Sequence, residues 1–182
     1  YFTRSQTVWR AGPILTERVL HGDVVDSKEI SEASGVCIAT QIQGPSVGME
    51  AILKIRMQIP PSWDSDGDYS ELKSTKISTW ANHELNVLED LTERGSSCTP
   101  KLLDYALEAQ RENEHVPGGY IVFILMERLP GRNLTNFDTF PLEKRDEVRI
   151  AFGKAIREFR ALGYDHEDPH RRNIQWDEES KR

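Results

Sequence analysis

The spacing of apolar residues changes several times along this chain, and each change marks a predicted element. From Ile30 to Ile42 the run Ser34-Gly35-Val36-Cys37-Ile38-Ala39-Thr40-Gln41-Ile42 is rich in β-branched and small residues, and Gly44-Pro45 then breaks it. Met49-Glu50-Ala51-Ile52-Leu53-Lys54-Ile55 resumes the pattern. Such runs on either side of a Gly-Pro turn predict two antiparallel strands. From Lys76 to Arg94 the period lengthens, with Ala81, Leu85, Leu88 and Leu91 at three- and four-residue steps and Gly95 as a stop, which predicts a helix with one buried face. Lys101-Leu102-Leu103-Asp104-Tyr105 reads as a short strand. Tyr120-Ile121-Val122-Phe123-Ile124-Leu125-Met126 is continuously apolar, as expected of a central strand covered on both faces, and ends at Glu127-Arg128-Leu129-Pro130-Gly131.

A second long helix is predicted from Pro141 to Leu162, where Val148, Ala151, Phe152, Ala155, Phe159 and Leu162 form a stripe and Gly163 ends it. Asn173-Ile174-Gln175-Trp176 looks like the start of another strand. Residues 1–29 read as an extended lead-in with a short helix or strand, interrupted at Gly12-Pro13. The segment from Pro60 to Asp68 carries alternating aspartates that resemble a calcium loop, but Tyr69 and Thr75 stand where that pattern needs glycine and glutamate, so it reads as a solvated insertion. The chain has no internal repeat and no low-complexity tract.

Composition narrows the partners. A net charge of −7 and a pI near 5.3 argue against nucleic-acid binding, which takes its affinity from phosphate neutralisation by a basic face. No window is apolar for long enough to span a membrane, and the first residues lack the apolar core of a signal peptide. Cys37 and Cys98 have no paired spacing, which predicts free thiols and a cytoplasmic setting.

The densest candidate chemistry is His166-Glu167-Asp168-Pro169-His170-Arg171-Arg172-Asn173-Ile174, just after the second helix. An acid five residues before an amide, between a helix and a strand, is the layout of a phosphoryl-transfer loop. There an Asp orients or takes the proton of an acceptor hydroxyl and an Asn supplies a neutral oxygen to magnesium. His170, Arg171 and Arg172 form a small basic cluster suited to a phosphate or an acidic substrate, the alternative being solvated arginines.

Upstream stand a glycine-bearing hairpin, a strand lysine, a helical glutamate, an apolar strand ending in a break, and a long helix. In that order, and with a loop reading His-x-Asp-x-His-x-x-Asn, the chain resembles the protein-kinase-like fold, in particular its aminoglycoside-phosphotransferase and choline-kinase-like branch. The resemblance spans Ile30 to Trp176 and implies an α+β fold. Residues 30–129 would form a kinase-like N-lobe, an antiparallel sheet plus one helix, and residues 130–182 the first part of a helical C-lobe. It also implies ATP and Mg2+ as cofactors and a small-molecule or protein hydroxyl as acceptor. Lys54 would hold the α- and β-phosphates, Glu84 would pair with Lys54, and Gly35 would lie in the phosphate-covering hairpin. Met126 would border the adenine, with the carbonyl of Glu127 and the amide of Leu129 as its hydrogen-bond partners. Asp168 would be the catalytic acid-base group and Asn173 the magnesium ligand.

Some features depart from that pattern. The hairpin from Ile30 to Cys37 keeps one glycine, Gly35, and places Glu32 where a carboxylate would repel a triphosphate unless it points outward. After Asn173 the family continues to an Asp-Phe-Gly-like or Asp-x-Glu-like segment that supplies the principal metal ligand, and this sequence ends at Arg182 before it. Asp177, Glu178 and Glu179 lie too close to Asn173 to replace that ligand. Two readings therefore stand: a phosphotransferase domain incomplete in this sequence, or a catalytically silent kinase-like module that binds a protein partner or regulates one.

Overall fold

The structure is a computed structural model that describes residues 2–4, 7–25, 28–61, 73–166 and 168–182. It divides into two compact units, residues 1–90 with 101–127 and residues 91–100 with 128–182. The fold class is α+β.

The first unit is built on a six-stranded antiparallel sheet: β1 (Phe2–Arg4), β2 (Thr7–Val25), β3 (Lys28–Gln43), β4 (Glu50–Ile59), β5 (Leu102–Ala109) and β6 (Tyr120–Glu127). Its order is β1-β2-β3-β4-β6-β5, so β2, β3 and β4 form a meander and β6 lies between β4 and β5. The helix α1 (Thr79–Glu93) comes between β4 and β5 in the chain. The two strands predicted on either side of Gly44-Pro45 are β3 and β4, and Gly44 and Gly48 take positive φ between them.

Side-chain alternation explains the uninterrupted apolar run of β6. Tyr120, Val122 and Ile124 point to one face and join Ile30, Ala81 and Leu88, while Leu125 points to the other and joins Trp9, Cys37, Ala39, Ala51 and Leu53. Both faces of β6 are therefore covered. On β4 the same alternation separates two chemistries: Ala51 and Leu53 enter the second cluster, while Lys54, Arg56 and Gln58 occupy the α1 side.

The lead-in expected over 1–29 is instead part of the sheet. β2 pairs with β3 from Val8 to Val25, because its residues continue the extended pattern past Gly12-Pro13. The register shifts between Ala11 and Ile14, so Gly12-Pro13 is a bulge on β2 past the end of its short pairing with β1 at Thr7–Trp9, a place where proline's missing N–H costs little. The aspartate-rich segment lies outside the described residues from position 62 to 72.

In the second unit, α2 (Leu142–Ala161) supplies the main element and a two-stranded ladder joins β7 (Arg132–Asn133) to β8 (Gln175–Trp176). Leu134, Val148 and Trp176 form its core, with Phe137, Phe140, Ala151 and Ile174 against it. Of the stripe predicted on α2 only Val148 is buried, and the other members are half-buried. Gly131 has φ +90°, and a Cβ there would collide with the Trp176 carbonyl. Glycine is thus required where β7 begins against β8.

Deleting side-chain volume from the doubly covered strand should cost more than deleting it from an outer face. Ile124→Ala is expected to lower unfolding free energy by about 2–5 kcal/mol. Leu107→Ala, at a position 52% exposed on β5, should change it by about 0.5 kcal/mol or less. Urea titration of both variants checks the contrast.

Candidate functional site

Helix α1 starts with a side-chain cap that also fixes its place on the sheet. Ser78 Oγ accepts from the Ala81 amide at 3.0 Å, so a serine just before the first turn satisfies one of the helix's unpaired N–H groups. The same hydroxyl donates to Glu32 of β3 at 2.5 Å. One turn further on, Glu84 shares the sheet-facing side with Ala81, Leu85 and Leu88, all three of which are buried.

The sequence places Lys54 and Glu84 as partners, and the structure brings them together. Lys54 Nζ donates to both carboxylate oxygens of Glu84, at 2.6 and 2.7 Å. A third residue, Arg56, stands two positions along β4 and therefore on the same face. Its Nε donates to Glu84 Oε2 at 2.9 Å, its Nη2 lies 2.7 Å from that oxygen, and its Nη1 donates to Glu32 Oε1. Glu32 also accepts from the Tyr120 hydroxyl at 2.9 Å. Lys54, Glu84, Arg56 and Glu32 thus form a row of alternating charge with an outer pair, Lys54 and Glu84, 21% and 27% accessible, and an inner pair, Arg56 and Glu32, 9% and 0% accessible.

The electrostatics reflect that gradient. Burial opposes ionisation of Glu84, but Lys54 and Arg56 outweigh it and hold the carboxyl below the ordinary glutamate value. Burial likewise opposes the charge on Arg56, and Glu84 and Glu32 outweigh it and push the guanidinium up. Burial pushes the Lys54 ammonium below its ordinary value; Glu84 resists this, and the Arg56 charge adds to it.

Two expectations on β3 need correction. Gly35, expected in a phosphate-covering hairpin, lies mid-strand, opposite Glu17 on β2 and Ile55 on β4. Glu32, expected near a triphosphate unless it points outward, is fully buried beneath α1 and bonded to Arg56, Ser78 and Tyr120. The reason for both is register: β3 extends back to Lys28 and stays paired with both neighbours through this stretch.

Met126 is half-buried at the end of β6, opposite Ile52 and Leu102, and packs on the cluster beneath α1. The Glu127 amide donates to the Lys101 carbonyl at 2.8 Å, and the Glu127 carboxylate accepts from the Lys101 amide at 3.2 Å. Leu129 lies just beyond, outside any strand or helix, and is half-buried.

In the second unit, α2 ends in a turn that reverses the chain. The Gly163 amide donates to the Arg160 carbonyl at 2.9 Å, the Tyr164 amide to the Phe159 carbonyl at 3.2 Å, and the Phe159 and Tyr164 rings meet at 5.7 Å. This is the glycine-ended Schellman arrangement with its apolar contact. The next loop runs into a single 3₁₀ turn, Arg171–Asn173, with His170 Nδ1 accepting from the Arg172 amide at 3.3 Å. Asn173 Nδ2 donates to Asp168 Oδ2 at 2.9 Å and to the Asp168 carbonyl at 3.1 Å. The acid and the amide that the sequence spaces five apart are therefore in direct contact. These bonds use the Asn173 nitrogen, leaving its Oδ1, the atom a hard cation takes, outside them.

The basic cluster divides its labour. Arg171 pairs with Asp138 while its guanidinium lies 5.2 Å from the Phe137 ring centre, and its carbonyl accepts from the Leu134 amide at 3.0 Å. Arg171 therefore ties the loop to the segment after β7. Arg172 stays near the acid, 3.8 Å from Asp168. The acids beyond β8 are engaged locally. Asp177 accepts from the Ser180 amide and hydroxyl at 3.0 and 2.6 Å. Glu178 accepts from Trp176 at 2.9 Å and pairs with Lys144 at 2.5 Å, and the Lys144 and Trp176 bonds hold its pKa at about 2. Among the described residues no group of three or more His, Cys, Asp or Glu side chains is arranged to hold a metal ion.

Sequence reasoning missed Arg56, Ser78 and Tyr120. The available signal was alternation: Glu32 and Ser34 on β3 and Lys54, Arg56 and Gln58 on β4 recur at every second position within otherwise apolar strands. Polar residues at that period mark one face, and a cap serine ahead of an apolar helix marks what covers it.

The charged row has two measurable consequences. Glu32→Ala should destabilise the chain by about 3–5 kcal/mol in urea titration, because it leaves Arg56 without its buried partner. The ionisation of Glu84 stabilises the fold fully above the ordinary glutamate pKa of about 4.3, and that contribution is lost as pH falls through its lower folded value. The stability advantage of the wild type over Glu84→Gln should accordingly shrink on acidification below pH about 4.3, as read from unfolding free energies across that range. No protein-family model matches this chain, and a search of curated proteins finds no match to it.

Proposed function

We propose that this chain carries the chemistry of an ATP-dependent phosphotransferase of the protein-kinase-like kind. The observation that supports the reading most is Lys54, on the third strand of the β2-β3-β4 meander, held through both oxygens of Glu84 from the next helix. A strand lysine fixed by a helix glutamate is the arrangement with which kinases hold the phosphates of ATP. The same chain places Asp168 and Asn173 in contact after its second helix, the acid and amide of a phosphoryl-transfer loop.

In this reading the Lys54 ammonium neutralises the α- and β-phosphates and Glu84 keeps it in place. Met126 lines the adenine, with the Glu127 carbonyl and Leu129 amide as its backbone partners. Asp168 orients the acceptor hydroxyl and takes its proton as the oxygen bonds to the γ-phosphorus and the bond to the ADP oxygen breaks. Arg172, beside Asp168, adds positive charge where the transferred group gathers negative charge. Bound magnesium would neutralise phosphate charge, and Asn173 Oδ1 is the atom this chain offers it.

The acceptor is a hydroxyl of a small molecule or a protein, and His170 within the loop inclines the reading toward the small-molecule branch. The net charge of −7 argues against nucleic acid as the partner. No helix among the described residues is long and apolar enough to cross a membrane. The free thiols Cys37 and Cys98 fit a cytoplasmic location.

A second reading, a catalytically silent kinase-like module, draws support from Asp177 and Glu178, whose carboxylates are held by Ser180, Lys144 and Trp176. Thermal shift and transfer assays separate the two. Magnesium-ATP should raise the melting temperature of the wild type, Lys54→Ala should abolish the rise, and Asp168→Asn should keep it while abolishing transfer. A wild type with no magnesium-ATP shift would remove the nucleotide reading, and binding without any hydrolysis or transfer would favour the silent module.

A further inference from the structure

The row of charges beneath α1 does more than pair Lys54. Glu84 alone could reach Lys54 from a helix that rocks, since an ion pair near the surface is worth about 1 kcal/mol or less and two long side chains follow each other's motion. Here the carboxylate is also gripped by the Arg56 fork, at 2.9 Å from Nε and 2.7 Å from Nη2. The other arm of that fork is on Glu32, which is itself fully buried and bonded to the cap hydroxyl of α1 through Ser78 and to Tyr120 of β6. The helix is thus attached to the sheet at two points, its cap and Glu84, and one arginine joins them.

We propose that Arg56 and Glu32 are positioning residues: they hold the Glu84 carboxylate, and with it α1, in the place from which it aims the Lys54 ammonium, before any nucleotide is present. Lysine could not substitute for Arg56, because a single ammonium lacks the planar fork that reaches two carboxylates on different elements. Glu32 serves the same end from below. Its three donors come from β4, β6 and the start of α1, so the sheet and the helix meet on one anion. The lysine-glutamate pair is therefore preformed, and displacement of α1 requires uncovering a buried charge. That Lys54 is aimed at phosphates rests on the nucleotide reading above; that α1 is held does not.

The test compares wild type, Arg56→Gln, Arg56→Lys and the exposed control Arg10→Gln by amide hydrogen exchange and by magnesium-ATP affinity. In both Arg56 variants, exchange in the first two turns of α1 should quicken by at least about tenfold more than exchange of the β6 amides, which report the global loss of stability that follows from breaking the buried Arg56–Glu32 pair. Magnesium-ATP should bind about tenfold or more weakly, as expected of a misplaced cation, and Arg10→Gln should match the wild type in both measurements. Unchanged α1 exchange in both variants overturns the proposal. So does an equal rise across α1 and β6, which would make Arg56 a general stabiliser, and so does full recovery in Arg56→Lys, which would make charge sufficient without the fork. Loosened α1 with unchanged nucleotide affinity overturns the positioning role. If the wild type itself binds no magnesium-ATP, the nucleotide reading fails while the exchange data still decide whether α1 is held. Should Arg56→Gln fail to fold, Arg56→Lys carries the same comparison.

Discussion

A carboxylate removed from water costs several kcal/mol unless donors replace its hydration, and Glu32 is removed entirely. Its replacements are the Arg56 guanidinium, the Ser78 hydroxyl and the Tyr120 hydroxyl, drawn from three different elements. This constraint organises the first unit. Because Glu32 must be satisfied, β4 has to present Arg56 toward α1, the helix has to begin at Ser78, and β6 has to turn Tyr120 inward. The Lys54–Glu84 pair is the solvent-side end of that arrangement, where exposure rises and a ligand could reach the ammonium.

The row also decides how the sheet divides its two faces. The side away from α1 is closed by Trp9, Cys37, Ala39, Ala51, Leu53 and Leu125 and carries the apolar burial. The side under α1 mixes Val122, Ile124 and Leu88 with the charged row. Hydrophobic contact there holds the helix against the sheet without direction, since apolar attraction scales with area and not with angle. The arginine fork supplies the direction. An arrangement of this type trades some stability for a defined geometry, which the role proposed for Lys54 would require.

The second unit solves a different problem, holding a short polar loop without burying it. Asp168, His170 and Asn173 are all exposed, so their geometry comes from local hydrogen bonds and from the neighbours of the loop. Arg171 ties it to Asp138 and Phe137, the β7–β8 ladder anchors the chain just beyond Asn173, and Gly131 lets those strands approach. Arg171 and Arg172 look equivalent in sequence, yet one is a tether and the other stays beside the acid.

Period alone made most elements legible. Leu85, Leu88 and Leu91 announced α1, the seven apolar residues from Tyr120 announced a strand covered on both faces, and Gly163 announced the end of α2. Those features are local, because helix and strand spacing and glycine's access to positive φ act within a few residues. The spacing of Asp168 and Asn173 was likewise enough to bring them into contact. Strand register was not legible: residues 1–29 hid a long sheet strand behind Gly12-Pro13, and Gly35 fell in the middle of a strand paired on both sides. Pairing of distant strands depends on partners the local sequence does not name. The sequence could propose Lys54 with Glu84, but only the tertiary structure could add Arg56 and convert Glu32 from a repulsive neighbour into a buried anchor. Whether a charge repels a ligand or holds a helix depends on which face of which strand it occupies and on what covers it.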